Sequence, residues 1–214
     1  MEILGIIISL LILVYSAILH EIAHGYVAYR LGDPTAKLLG RLTLNPRSHI
    51  DLYMTIILPV LSYFSGIIIG GAKPVPVDPF NLKDGIKDLA LVSVAGPLTN
   101  VLLAILGSVM IHLIFPGSGF SEVMYSGFLG FFLATIVRIN LMLAIFNLLP
   151  IPPLDGSKVF AMLLPERMAN QFLSIGQQMG MFILIFLLFF PIGGFSLLDM
   201  VSNIITYSIS LLGF

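Results

Sequence analysis

Two histidines bracket a glutamate in the stretch His20-Glu21-Ile22-Ala23-His24. On a helix, residues four apart lie about 40° from one another on one face, so two imidazoles can reach a single metal ion. Glu21 projects beside them, too near in sequence to join the same tetrahedron easily, but placed to hold a water against the metal. H-E-x-x-H is the pattern in which a helix binds zinc and a carboxylate takes the proton of the zinc-bound water. With four histidines and four glutamates among 214 residues, a chance match is expected in about one such chain per thousand. The plainer alternative is a histidine pair hydrogen-bonded within a helical bundle, with Glu21 as its partner.

What must position these residues is a membrane-length helix, because residues 3–19 before the motif are almost wholly apolar. Ionisable groups at that depth are costly and mark a functional site. The whole chain has the same character: 58% hydrophobic and 10% charged residues, with a mean hydropathy of +1.06. Soluble domains carry about 25% charged residues, so the chain reads as a multi-pass protein of a cell membrane, with the lipid bilayer as its first partner. The length of 214 residues allows a single domain over 1–214, with a core at 3–156 and C-terminal helices at 157–214. A net charge of −1 excludes nucleic acid as a partner. Without cysteine, a zinc ion must be held by His, Asp or Glu. Glu2 stands where a signal peptide would be basic, so the N-terminus does not read as a cleaved signal.

Along the chain, the first helix is expected at 3–29, stopped by Gly32-Asp33-Pro34. A basic stretch with Lys37, Arg41 and Arg47 follows, and 38–44 alternates enough to suggest a short hairpin. Residues 52–70 are apolar but broken by Pro59. Pro74 and Pro76 rule out helix and predict an extended segment. Further spans are expected at 90–115 and at 127–149, the latter containing Arg138 and Asn140. Residues 158–178 are mixed and amphipathic, and two apolar segments follow at 179–190 and 195–214.

Two histidines leave a catalytic zinc site incomplete, since three protein ligands and an open position are usual. Asp155 suits best, directly after a span and among Pro150, Pro152, Pro153 and Gly156; Asp199 is an alternative without that context. His20-Glu21-x-x-His24, Gly96-Pro97-x-x-Asn100 and Asn147-x-x-Pro150-x-x-x-x-Asp155-Gly156 together resemble the site-2 protease family of intramembrane zinc metalloproteases. The stretches 40–46 and 72–77 resemble its small prokaryotic members. The motifs cover residues 20 to about 156.

The resemblance implies one Zn2+ per chain on His20, His24 and Asp155, with Glu21 as general base. It further implies that Asn147 and Asn100 hold substrate backbone or the oxyanion. Read from the residues alone, either asparagine could instead bond helix to helix. His49 and His112 match no family position and read as structural or interfacial. The substrate implied is a membrane-embedded protein segment, cleaved near the cytoplasmic face in regulated intramembrane proteolysis. The rival class is a non-catalytic membrane metal-binding or transport protein; clustering of the ionisable groups at one depth favours the enzyme.

The expected fold is an all-α polytopic membrane protein of about four to five transmembrane helices, with a re-entrant segment and short membrane-associated β strands. The re-entrant expectation follows from parity. His20 and Asp155 must share one side, which Lys37, Arg41 and Arg47 make cytoplasmic. The loop at 117–126 is then external, and both ends of 52–70 lie inside, too short a stretch to cross twice. Such a segment would deliver 73–77 to the site as a strand able to hold an unwound substrate.

Overall fold

In the computed structural model, residues 2–57, 72–191, 193–194 and 196–214 are described. Helix α1 spans Glu2–Leu31, and Gly32, at φ 118°, ends it in a backbone conformation that favours glycine. A single turn, α2 (Thr35–Leu38), follows. The long helix α3 covers Ile86–Ile114, the short α4 covers Phe120–Tyr125, and α5 covers Phe128–Asn147. The C-terminal part holds α6 (Asp155–Met162), α7 (Glu166–Phe189) and α8 (Leu197–Leu211).

Among the described residues, four helical stretches are long and apolar enough to cross a membrane: Ile3–Leu31, Ile86–Ile114, Phe128–Asn147 and Glu166–Phe189. At about 1.5 Å per residue, the 15 residues of α8 fall short of about 30 Å of hydrocarbon. Large apolar side chains outside the bundle, such as Leu102 and Leu106 on α3 and Phe182 and Phe186 on α7, face outward where lipid would solvate them.

The centre of the bundle is α3. Its Ala104 and Ile111 pack on Leu133, Val137 and Leu141 of α5 and on Val123 of α4. Ile8, Ile12 and Leu13 of α1 pack on Ile139 and Leu143 of α5. Gly5 lies against Phe131 while His24 lies against Asp155, so α1 and α5 run in the same direction. Helix α8 closes the C-terminal side through Leu197 and Val201 against Leu149, Leu154 and Leu184. Pro152, in the loop between α5 and α6, seats in a notch on α7. A Cβ on Gly176 would stand 2.6 Å from its Cβ, and one on Gly180 would stand 3.0 Å from its backbone carbon.

Beyond α1, the buried Asp33 carboxylate ties the chain together. It accepts from the backbone N–H of Thr35 (3.0 Å) and of Asp78 (2.8 Å), from the Thr35 hydroxyl and from the Asn81 amide (3.0 Å). Burial pushes this carboxyl up, but those donors outweigh it and hold it below the usual carboxylate range.

The expected β strands are absent among the described residues. The candidate hairpin at 38–44 is the end of α2 and a series of turns. Residues 72–78 are extended but pair with no strand. Two of them, Pro74 and Pro76, have no N–H for a ladder, and side chains take several of the other polar groups. Arg41 donates to the carbonyls of Lys73 (2.8 Å) and Pro74 (3.3 Å), and Glu21 accepts the Val75 N–H. Lys73 N–H goes to the His49 carbonyl, the segment's one backbone tie to the basic loop among the described residues. Of the stretch expected to be re-entrant, Leu52–Ile57 form a π-helical turn, and the rest of 52–70 lies outside the described residues. The change in composition near 178 falls inside one helix, since α7 runs unbroken through Glu166–Phe189.

Candidate metal centre

His20 and His24, one turn apart on α1, are both buried with their rings at 86° to each other. Asp155 is the first residue of α6, and one of its oxygens, Oδ2, stands 3.1 Å from Nε2 of each histidine. Its other oxygen, Oδ1, accepts from Lys158 Nζ at 3.2 Å, one turn further along α6. The Lys158 ammonium beside it favours the charged carboxylate.

Each imidazole is anchored through its far nitrogen. His24 Nδ1 donates to the Val92 carbonyl at 2.6 Å, and His20 Nδ1 donates to Asn100 Oδ1 at 2.6 Å. With Nδ1 protonated on both rings, a neutral pair presents two bare Nε2 lone pairs to a carboxylate oxygen. Three lone pairs aimed at one point repel unless a cation stands between them.

The spacing fits zinc. Two donors on a tetrahedral zinc at about 2.1 Å stand about 3.4 Å apart, close to the 3.1 Å between each Nε2 and Oδ2. His20, His24 and Asp155 form a buried group able to hold a metal ion, found among the described residues. Gly96, on α3, keeps the adjoining space clear: a Cβ there would stand 2.5 Å from Nε2 of both histidines.

Glu21, half-buried, lies beside the pair and its Oε2 accepts the Val75 N–H at 2.7 Å. Gly25 allows the approach of that extended segment, since a Cβ there would meet the Val75 side chain at 2.9 Å. Asn147 ends α5, half-buried, with Nδ2 on the Leu143 carbonyl at 2.9 Å. Asn100 is fully buried behind His20, and its Nδ2 donates to Asn140 Oδ1 at 2.9 Å.

The remaining histidines are elsewhere. His49 is buried, with Nε2 against the Thr43 carbonyl, and His112 leans on Phe214 with Nδ1 at the Ser108 carbonyl. Asp199 sits in the first turn of α8, its backbone N–H on Ser196 Oγ, and is not in the metal-binding group.

Several contributors to the site gave little signal in the sequence. Val92 acts through a backbone carbonyl, which no side chain announces. Asn140 and Ser16 are single polar residues in apolar spans, where a polar group is itself a pointer to function. Lys158 reads as one charge on an amphipathic helix.

The model of peptidase family M50 matches this chain over residues 7–129 and 107–190. The curated relatives include YwhC of Bacillus subtilis, 36% identical over 89% of this chain and 84% of its own length. Rip2 of Mycobacterium tuberculosis is 34% identical over 66% of this chain, which spans about half of Rip2 (51%). MJ0611 of Methanocaldococcus jannaschii is 35% identical over 47% of this chain and 49% of its own length. Each of the three bears the name "putative zinc metalloprotease". No solved structure matches the chain with significance.

Proposed function

The chain belongs to peptidase family M50, the site-2 proteases, as a membrane-embedded zinc metalloprotease, and from that premise we propose which bond it cuts and with which residues. The substrate is a membrane-embedded segment of another protein, cut near the cytoplasmic face. The observation that carries this reading is the convergence of His20, His24 and Asp155 on one buried point seven residues before the end of α1, beside a glutamate. Those three residues would hold one zinc ion per chain. When bound, zinc polarises the scissile carbonyl and lowers the pKa of its water.

The chain's own groups do the rest. Glu21 Oε2 is held by the Val75 N–H, which leaves Oε1 to take a proton and pass it to the leaving amine. Lys158 occupies Asp155 Oδ1, so that Oδ2 alone faces the histidines. Asn147, eight residues before Asp155, uses Nδ2 on its own helix and keeps its amide oxygen for a substrate N–H. A transmembrane helix must unwind before its peptide bonds can be reached.

The test is the Glu21→Gln variant purified beside wild type and assayed on a single-span protein substrate. The expected result is one zinc per chain in both and cleavage by wild type alone. Cleavage by Glu21→Gln at the wild-type rate would remove Glu21 from the mechanism. Zinc bound by a wild-type protein that cleaves no membrane substrate would favour a metal-binding or transport role.

A further inference from the structure

We propose that Asn140 is a positioning residue which, through Asn100, fixes the proton of His20 on Nδ1 and thereby frees Nε2 for the metal. The inference deepens the zinc-site reading above and rests on it. Its observations are a run of buried hydrogen bonds with a forced direction. Asn140 Nδ2 lies 2.9 Å from the backbone carbonyl of Ile136 and 3.0 Å from Ser16 Oγ. Asn140 Oδ1 lies 2.9 Å from Asn100 Nδ2, and Asn100 Oδ1 lies 2.6 Å from His20 Nδ1. Ser16, Asn100 and Asn140 are all buried, so water cannot substitute for a missing partner.

A backbone carbonyl can only accept, so the atom of Asn140 against Ile136 must be the nitrogen. The oxygen of Asn140 therefore faces Asn100 and must receive a proton, so Asn100 offers its nitrogen there. The oxygen of Asn100 is then left for His20, and it too can only accept. His20 must donate from Nδ1, so the neutral ring carries its lone pair on Nε2.

His24 needs no such relay, because its Nδ1 meets the Val92 carbonyl directly. The two metal-facing imidazoles are thus set by backbone carbonyls, that of Val92 in contact and that of Ile136 through two amides, with the Ser16 carbonyl, 3.5 Å from Asn100 Nδ2, a weaker second guide to the same orientation. The Ser16 hydroxyl can donate or accept, and therefore imposes no direction.

The test combines NMR with zinc affinity. In metal-free wild-type protein labelled with 15N-histidine, His20 Nδ1 is expected to carry a slowly exchanging proton. A bare Nδ1 there would overturn the proposal whatever any variant does. Zinc dissociation constants, read by chelator competition on folded protein, should weaken by about 10–100-fold in Asn140→Leu, as for other residues that orient a metal-ligating histidine. Adding Asn100→Asp to that variant should restore most of the affinity, since a carboxylate presents only acceptors to His20. Ser16→Ala should bind zinc within a few-fold of wild type.

Wild-type affinity in Asn140→Leu, no recovery in the double variant, or an equal loss in Ser16→Ala would each refute the directional relay and leave Asn140 as packing. If wild type keeps its Nδ1 proton but binds no zinc, the zinc-site reading fails while the proton assignment stands.

Discussion

Replacing Gly96 with alanine adds one methyl group where the structure leaves no room for it. The added Cβ would lie 2.5 Å from Nε2 of both His20 and His24 and 2.6 Å from Cδ2 of His20. Ordinary contact between heavy atoms begins near 3.5 Å, so each imidazole or α3 itself must retreat by about 1 Å. Metal–ligand distances tolerate only about 0.2 Å, so the displacement exceeds the tolerance of the site roughly fivefold. Loss of stoichiometric zinc and of cleavage is the expected outcome. The fold should survive, because alanine is favoured over glycine inside a helix by about 1 kcal/mol, which offsets part of the strain. Zinc content per chain, cleavage and thermal unfolding of the metal-free protein can be measured on one detergent-purified sample. Gly96→Ala protein that folds, keeps one zinc per chain and cleaves at the wild-type rate would refute the claim that Gly96 guards the metal's space.

Asp33→Asn should destabilise the protein by about 1–3 kcal/mol at neutral pH, because a neutral amide accepts fewer and weaker bonds from Thr35, Asp78 and Asn81. As the folded carboxyl is held below its usual pKa, its contribution is present above that usual value and lost as pH falls through the depressed one. The penalty of Asp33→Asn, read from unfolding midpoints against pH, should therefore shrink in acid; a constant penalty counts against the carboxylate's role. Asn147→Ala should lower cleavage while zinc content and folding persist, whereas a drop of about 1 kcal/mol in stability with cleavage intact would make it bundle glue. For orientation, single cysteines in this cysteine-free chain can be labelled with impermeant thiol reagents in intact cells. Ser118→Cys should react and Asp84→Cys should not; external labelling of Asp84→Cys would overturn the cytoplasmic placement of the metal end.

What the sequence revealed followed from local physics. The period of a helix was enough to join His20, Glu21 and His24, and the prolines around Asp155 marked a backbone break where a carboxylate could turn inward. Backbone carbonyls such as Val92 and Ile136 carry no signature, so the anchoring of the imidazoles was invisible until the helices were packed. Asn100 matched a motif, but whether its amide meets substrate or histidine depends on how α3 faces α1, which no local pattern fixes.

The strand expectation at 73–77 rested on proline forbidding helix, and extended backbone is indeed what forms. Pairing failed because Arg41, Glu21 and Asp33 supply the partners that a neighbouring strand would have supplied. The change in composition from the mixed 158–178 to the apolar run after it is not a change of backbone. One helix, α7, passes from polar to apolar residues without a break.

The seat of Pro152 between Gly176 and Gly180 couples two things that are usually independent. Helix α7 is largely exposed around its circumference, and a lipid-facing helix accommodates a change in hydrocarbon thickness in part by tilting. Yet its notch grips the loop that ends in Asp155, three residues beyond Pro152. A bilayer that thins or thickens and re-tilts α7 would move that loop as a lever moves its load. The lipid would then act on the carboxylate of the metal centre through α7.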